Sequence, residues 1–124
     1  MRYETQCFKI KLKPNSLERV REWAQTLNET RRDEALATLR DETVIIEACF
    51  LDRTPDGDFI IVFMKAESFE QSRRAVEASS HDIDQYHQQF KKDTWESGQR
   101  LDLLVDLDRI AEVGQKANGS KLRK

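Results

Sequence analysis

Both histidines of the chain, His81 and His87, fall in the stretch SSHDIDQYHQQFKKDTW (residues 79–95), alongside Asp84, Tyr86 and Trp95. A carboxylate that accepts one ring N–H leaves the second nitrogen free to take a proton, which is what a general base near neutral pH needs. His81, His87 and Asp84 are therefore the candidate catalytic group, with Tyr86, Trp95, Trp23 and Tyr3 as candidate ligand-binding walls. On a helix, steps of three turn each side chain by about −60°, which sets His81 and His87 about 120° apart. The i, i+4 pair of helical metal ligands is missing, so no metal is assigned. A structural reading stands beside the catalytic one. Ile83, His87 and Phe90 share an inward stripe, Asp82 and Asp84 complement the helix dipole, and His81 is an entry residue.

These residues need elements to hold them. Residues 2–13 alternate as a strand, with Phe8, Ile10 and Leu12 on one face. KPNSLERVREWAQTLNETRRDEALATLRDE then reads as helix, with Asn15 and Glu18 as a capping box and a bend at Asn28 to Thr30. TVIIEACFL and DFIIVFMKA flank Pro55-Asp56-Gly57 and predict an antiparallel hairpin. A helix opens at Ser68, whose spacing to Gln71 is a second capping box, and another runs from Asp82 to Trp95, stopped by Gly98. QRLDLLVDLDRI alternates as a last strand, with Leu101, Leu103, Val105 and Leu107 inward. The order β-α-β-β-α-β predicts an α+β, ferredoxin-like fold: a four-stranded antiparallel sheet in order 4-1-3-2, with the helices on one face. The other face would carry apolar hairpin residues, and a second copy of the chain is the simplest cover, so a homodimer is expected.

At 124 residues the chain suits one domain, expected over 1–113, with a flexible basic tail at 114–124. That tail carries four of the 21 Lys and Arg and none of the 23 Asp and Glu, leaving the body at 17 − 23 = −6. An acidic body argues against nucleic acid as a partner. Cys7 and Cys49 have no metal-ligand spacing and read as free thiols of a reducing compartment. No run of 18 apolar residues and no signal-peptide core is present, so a cytoplasmic protein without membrane contact is expected. Phosphate-loop, nucleophile-elbow and haem-attachment motifs are all missing, and no cofactor is assigned.

The opening FKIKLKPNSLERVREW, the segment LNETRRDEALATL, the strand VIIEACF and His81-x-Ile83-Asp84-x-x-His87 together resemble the dimeric α/β-barrel superfamily over residues 3–107. The similarity is closest to a small bacterial family of unknown function within it. The resemblance implies two ferredoxin-like subunits packed sheet to sheet, and in the superfamily's enzymes a site between helices and sheet. Its members range from cofactor-free monooxygenases and isomerases to proteins with no known activity, so fold alone does not name the chemistry. The expected function is a homodimer binding a small organic molecule in a helix–sheet cleft, with oxygenase-like or isomerase-like chemistry and no bound cofactor. The alternative is a non-catalytic structural or stress-related interaction dimer.

Overall fold

The computed structural model describes residues 2–114. Four strands form one antiparallel sheet: β1 (Glu4–Leu12), β2 (Val44–Thr54), β3 (Gly57–Ala66) and β4 (Trp95–Arg100), in the order β2-β3-β1-β4. This is the expected 4-1-3-2 order read from the other edge. Between β1 and β2 lie α1 (Leu17–Gln25) and α2 (Arg32–Asp41), joined by a π-helical turn at Thr26–Thr30. Between β3 and β4 lie α3 (Phe69–Ala78) and α4 (Asp82–Thr94).

The expected bend in the first helix is the π turn. Arg31 N–H bonds to Thr26 carbonyl at 2.8 Å, an i to i+5 closure that widens the helix and redirects α2. The hairpin connection is Pro55-Asp56, and Gly57, which opens β3 at φ 133°, takes a conformation that favours glycine. Ser68 caps α3, its hydroxyl accepting from Gln71 N–H at 3.2 Å as its spacing predicts. The Asn15 capping box does not form. Ser16 is the N-cap and makes no side-chain cap, while Asn15 turns the chain at φ 62°, a conformation asparagine tolerates better than most residues.

Alternation divides the sheet into two faces. Ile10 and Leu12 of β1 and Ile60 and Val62 of β3 pack against Val20 and Trp23 of α1 and Phe90 of α4 in one buried cluster. The registers Cys7↔Phe63, Phe63↔Ala48 and Ile61↔Phe50 place these residues on the opposite, helix-free face. Phe50 is 61% exposed there.

The last strand is displaced from its expected place. β4 is WESGQR, and Gly98 does not stop α4 but lies inside the strand, where a Cβ would come within 2.9 Å of Ile10 Cδ1. Helix α4 runs straight into it, Lys13 N–H bonding Thr94 carbonyl at 2.7 Å. With no slack after the helix, the polar segment reaches β1 first, and edge pairing needs backbone groups rather than apolar side chains. Residues 101–109 continue as an extended arm rather than a strand. Leu103, Val105 and Leu107, expected inward, are 55%, 73% and 88% exposed. The arm is pinned by Lys65 Nζ, which bonds Asp106 Oδ1 at 2.7 Å and Asp108 Oδ2 at 2.6 Å. A helical turn follows at 110–114; apart from Gly114, the expected basic tail lies outside the described residues.

Candidate functional site

Three element ends meet beside the sheet edge: the end of α2, the end of α3 and the start of α4. They form a half-open cavity of about 220 Å³ lined by Thr38, Asp41 and Glu42, by Ala75, Ala78, Ser79 and Ser80, and by His81 and Asp84. At its mouth His81 Nε2 and Asp41 Oδ2 are 2.9 Å apart. The Ser79 hydroxyl donates to Asp84 and accepts the His81 backbone N–H at 3.1 Å, which fixes the turn into α4. The carboxylate paired with a histidine ring is thus Asp41 on His81; Asp84 holds a serine hydroxyl.

Glu42 is set in this wall by a strained connection. Thr43, the next residue, has φ 60°, which is costly for a β-branched side chain. Its carbonyl accepts from Glu67 N–H at 2.9 Å, its hydroxyl accepts from Ser68 N–H at 3.3 Å, and that hydroxyl donates to the Ser68 carbonyl at 3.2 Å. The Ser72 hydroxyl donates to the Glu42 carbonyl. Burial, then the nearby charges of Asp84 and Glu47, raise the Glu42 carboxyl from the ordinary carboxylate range to about 7. Such a group takes and returns a proton near neutral pH.

A stripe along α4 leads from the cavity toward β4. Asp84, His87, Lys91 and Trp95 follow one another at helical intervals of three, four and four residues. The registers Glu47↔Met64 and Cys49↔Val62 put Glu47 and Cys49 of β2 on the same face of the sheet as the helices, where both residues remain exposed to solvent. The protein atoms crowding this face raise the Glu47 carboxyl, against the opposing pull of Lys91, and raise the Cys49 thiol.

His87 is placed by α1. Its Nδ1 accepts the Trp23 indole N–H at 3.2 Å, and Trp23 is buried and stacked on Phe90 with ring centroids 4.3 Å apart. Burial, with a smaller push from Lys91, lowers His87 to about 3, so the ring is neutral and carries its proton on Nε2. It is a hydrogen-bond donor there, not a base poised near pH 7. Tyr86 faces the other flank of α4, where its hydroxyl meets Arg19 at 3.2 Å and Thr26 at 3.4 Å. Trp95 lies against the core with Lys91 Nζ 5.0 Å from its ring centroid. Tyr3 precedes β1 and belongs to neither the cavity nor the stripe. Among the described residues no cluster of three or more His, Cys, Asp or Glu could hold a metal ion.

His81 and Asp84 therefore share the cavity, while His87 and Trp95 belong to the stripe that leaves it. Glu42, Glu47 and Lys91 join them without having been singled out by the sequence. Lys91 was legible, four residues after His87. The two glutamates carry no local sign, because only the folded chain brings Glu42, Glu47 and Lys91 near enough to act on one another's charge.

The model of a family of unknown function (DUF6176) matches residues 3–112. The chain belongs to this family. No curated protein matches it. Among solved structures, a provisionally named antibiotic biosynthesis monooxygenase from Bacteroides thetaiotaomicron superposes with a TM-score of 0.55 at 11% identity, covering 85% of this chain and 90% of that one. An uncharacterised NIPSNAP-like domain protein from Burkholderia xenovorans gives 0.55 at 18% identity, covering 84% and 85%. A dimeric ferredoxin-like protein from an uncultured marine organism gives 0.55 at 10% identity, covering 86% and 91%. At these identities the likeness shows the ferredoxin-like fold that DUF6176 shares with them, and nothing of ligand or chemistry.

Proposed function

We propose that this DUF6176 protein is a homodimer that binds a small organic molecule in the recess between the ends of α2 and α3 and the start of α4, rather than in the helix–sheet cleft expected from the sequence, and that it moves a proton on that molecule without a bound cofactor. The observation that carries the reading is Glu42, a carboxyl raised to about 7 in the wall of a cavity that also presents Asp84, His81 and the hydroxyls of Thr38 and Ser79. A base that titrates near neutrality suits isomerase-like chemistry, which needs proton removal and return but no oxidant. The neutral Nε2–H of His87 is suited to polarising a carbonyl or hydroxyl that reaches along the stripe.

The second copy covers the helix-free face of the sheet. An apolar band containing Ile46, Phe50, Ile61 and Phe63 lies between the Lys9–Asp52 pair at one end and the Lys65 cluster at the other. Leu104 and Leu107 on the arm, 90% and 88% exposed, extend it. A patch of this kind on an otherwise highly charged chain marks an interface, and the marine neighbour is described as dimeric.

The test is a thermal-shift screen of neutral, small polar molecules against the wild type, Glu42→Gln and Ser79→Ala. Ligands whose shift disappears in both variants support the cavity as the site. Ligands that ignore both variants place binding elsewhere, and a wild type that responds to nothing at millimolar concentration favours the non-catalytic interaction dimer.

A further inference from the structure

The recess between the ends of α2 and α3 and the start of α4 has a one-sided charge. Of its nine lining residues three are acids, Asp41, Glu42 and Asp84, and neither lysine nor arginine is among them. The one lining group able to carry positive charge is His81, whose ring is turned to Asp41 at the mouth, 2.9 Å away. The acids are not gathered as a metal set, since no group of three or more His, Cys, Asp or Glu among the described residues could hold a metal ion. They stand around a space of about 220 Å³, with the methyl groups of Ala75 and Ala78 on its α3 side. A neighbouring, shallower depression shares Ser79 and Asp84 but carries Gln85, Gln88, Gln89 and Lys92, so the excess of acid belongs to the recess and not to that whole side of the molecule.

We propose that this recess binds a small organic ammonium, its N–H groups turned to Asp41, Glu42 and Asp84 and its alkyl part against Ala75 and Ala78. The inference rests on the recess being a ligand site and deepens that reading by giving the ligand's charge; it does not depend on Glu42 carrying a proton to or from the ligand. An alkylammonium offers up to three N–H donors on one nitrogen, and its hydrogen bonds to carboxylates run to about 2.7–2.9 Å, longer than the about 2.0–2.6 Å that hard metal ions demand of their oxygens. Acids too dispersed to coordinate an ion can still share such a group. A cation also relieves the repulsion among the acids, which a neutral ligand of the same size cannot. The charged groups that act on Glu42 are Asp84 and Lys91 of α4 and Glu47 of β2, with Asp41 beside it in sequence and His81 in the same wall. The end of α3 adds only alanine methyls and the hydroxyls of Ser79 and Ser80. Burial and the two neighbouring acids keep Glu42 partly protonated at neutral pH. An entering ammonium replaces that proton as the counter-charge, so the step is ammonium plus neutral carboxyl to an ion pair plus one released proton, with no covalent bond made or broken.

The experiment is isothermal titration of the full chain with n-butylammonium, and with butan-1-ol as its neutral match in size, at pH 5.5 and pH 8. The amine stays a cation at both, as a lysine side chain does. Its affinity is expected to be at least tenfold higher at pH 8, and at pH 7 binding should release about half a proton, read from the heats in phosphate and Tris buffers. Glu42→Gln should lose the release and most of the pH dependence, whereas His81→Gln, which removes the imidazole charge, should keep both. Ala78→Leu, at an exposed position of the rim, should block the amine with circular dichroism unchanged. Equal binding of butan-1-ol, or amine binding indifferent to both Glu42→Gln and Ala78→Leu, overturns the proposal. If the amine does not bind while neutral ligands still require Glu42 and Ser79, the recess remains the site and its preference for a cation falls; if the amine binds and Ala78→Leu blocks it while no neutral ligand depends on Glu42, the cation site stands and the proton-transfer reading falls instead.

Discussion

The indole N–H of Trp23 on α1 donates to Nδ1 of His87 on α4, across 3.2 Å and 64 residues of chain. This bond ties the first crossover to the second and decides the tautomer of the only inward-facing histidine. His87→Ala leaves a cavity and an orphaned indole donor, and should cost roughly 1–3 kcal/mol. His81→Ala, at an exposed mouth, should cost little. Denaturant titration of both variants reads the difference. The folded pKa of His87, about 3, lies below its ordinary value of 6.5, so its stabilisation is complete above pH 6.5 and drains away as pH falls toward 3. His87→Gln, which keeps an acceptor, should flatten the stability profile in that window.

Glu42 has the opposite sign. Its folded pKa of about 7 is above its ordinary 4.5, so the favourable protonated form persists at low pH and the advantage is lost as pH rises from 4.5 through 7. Glu42→Gln should match the wild type at pH 5. At pH 8 it should be more stable by on the order of 1 kcal/mol, which corresponds to about 3–6 °C in Tm. Thermal melts at the two pH values provide the check, and an equal shift at both would mean that Glu42 ionises like an ordinary surface acid.

The Lys65 clamp on Asp106 and Asp108 holds the arm over the end of the sheet, with Thr5 Oγ1 giving Asp106 a further hydrogen bond at 3.1 Å. Hydrogen bonds from Lys65 hold both carboxyls below the usual aspartate range. Depressed carboxyls keep the arm attached through the ordinary titration range and release it only on stronger acidification. Lys65→Met should free it at any pH. Hydrogen exchange of residues 101–108 is expected to rise in that variant and stay slow in the wild type at pH 7.

The proposed homodimer predicts sedimentation near 29 kDa, twice the chain mass of 14.6 kDa. Phe50→Glu, placing a charge in the apolar band, should shift the protein toward monomer. An unchanged dimer would move the interface off this face.

Cys7 pairs in register with Phe63 and Cys49 with Val62, so the thiols occupy opposite faces on strands separated by β3. Bridged cysteines have Cα atoms within about 7 Å, and both thiols should therefore titrate as free in denatured, unreduced protein. An intramolecular Cys7–Cys49 disulfide would contradict the strand order.

The ferredoxin-like order was legible because its signals are local. The alternation around Phe8 and Ile10, the Pro55-Asp56-Gly57 turn, the Ser68 cap and the bend before Arg31 each depend on residues a few positions apart. The inward course of His87 followed from its stripe with Ile83 and Phe90. What the sequence misplaced were decisions between distant segments. Leu101 to Leu107 alternate better than WESGQR, yet α4 delivers Trp95 to the sheet edge first, and Gly98 fits beneath Ile10, whose Cδ1 would have to shift to admit a Cβ there. The site was divided in the same way. His81 and Asp84 announced themselves by type and spacing, whereas Glu42 became unusual only when the fold half-buried it beside Asp84 and Glu47, because desolvation and neighbouring charge belong to the packed structure and not to any window of the chain.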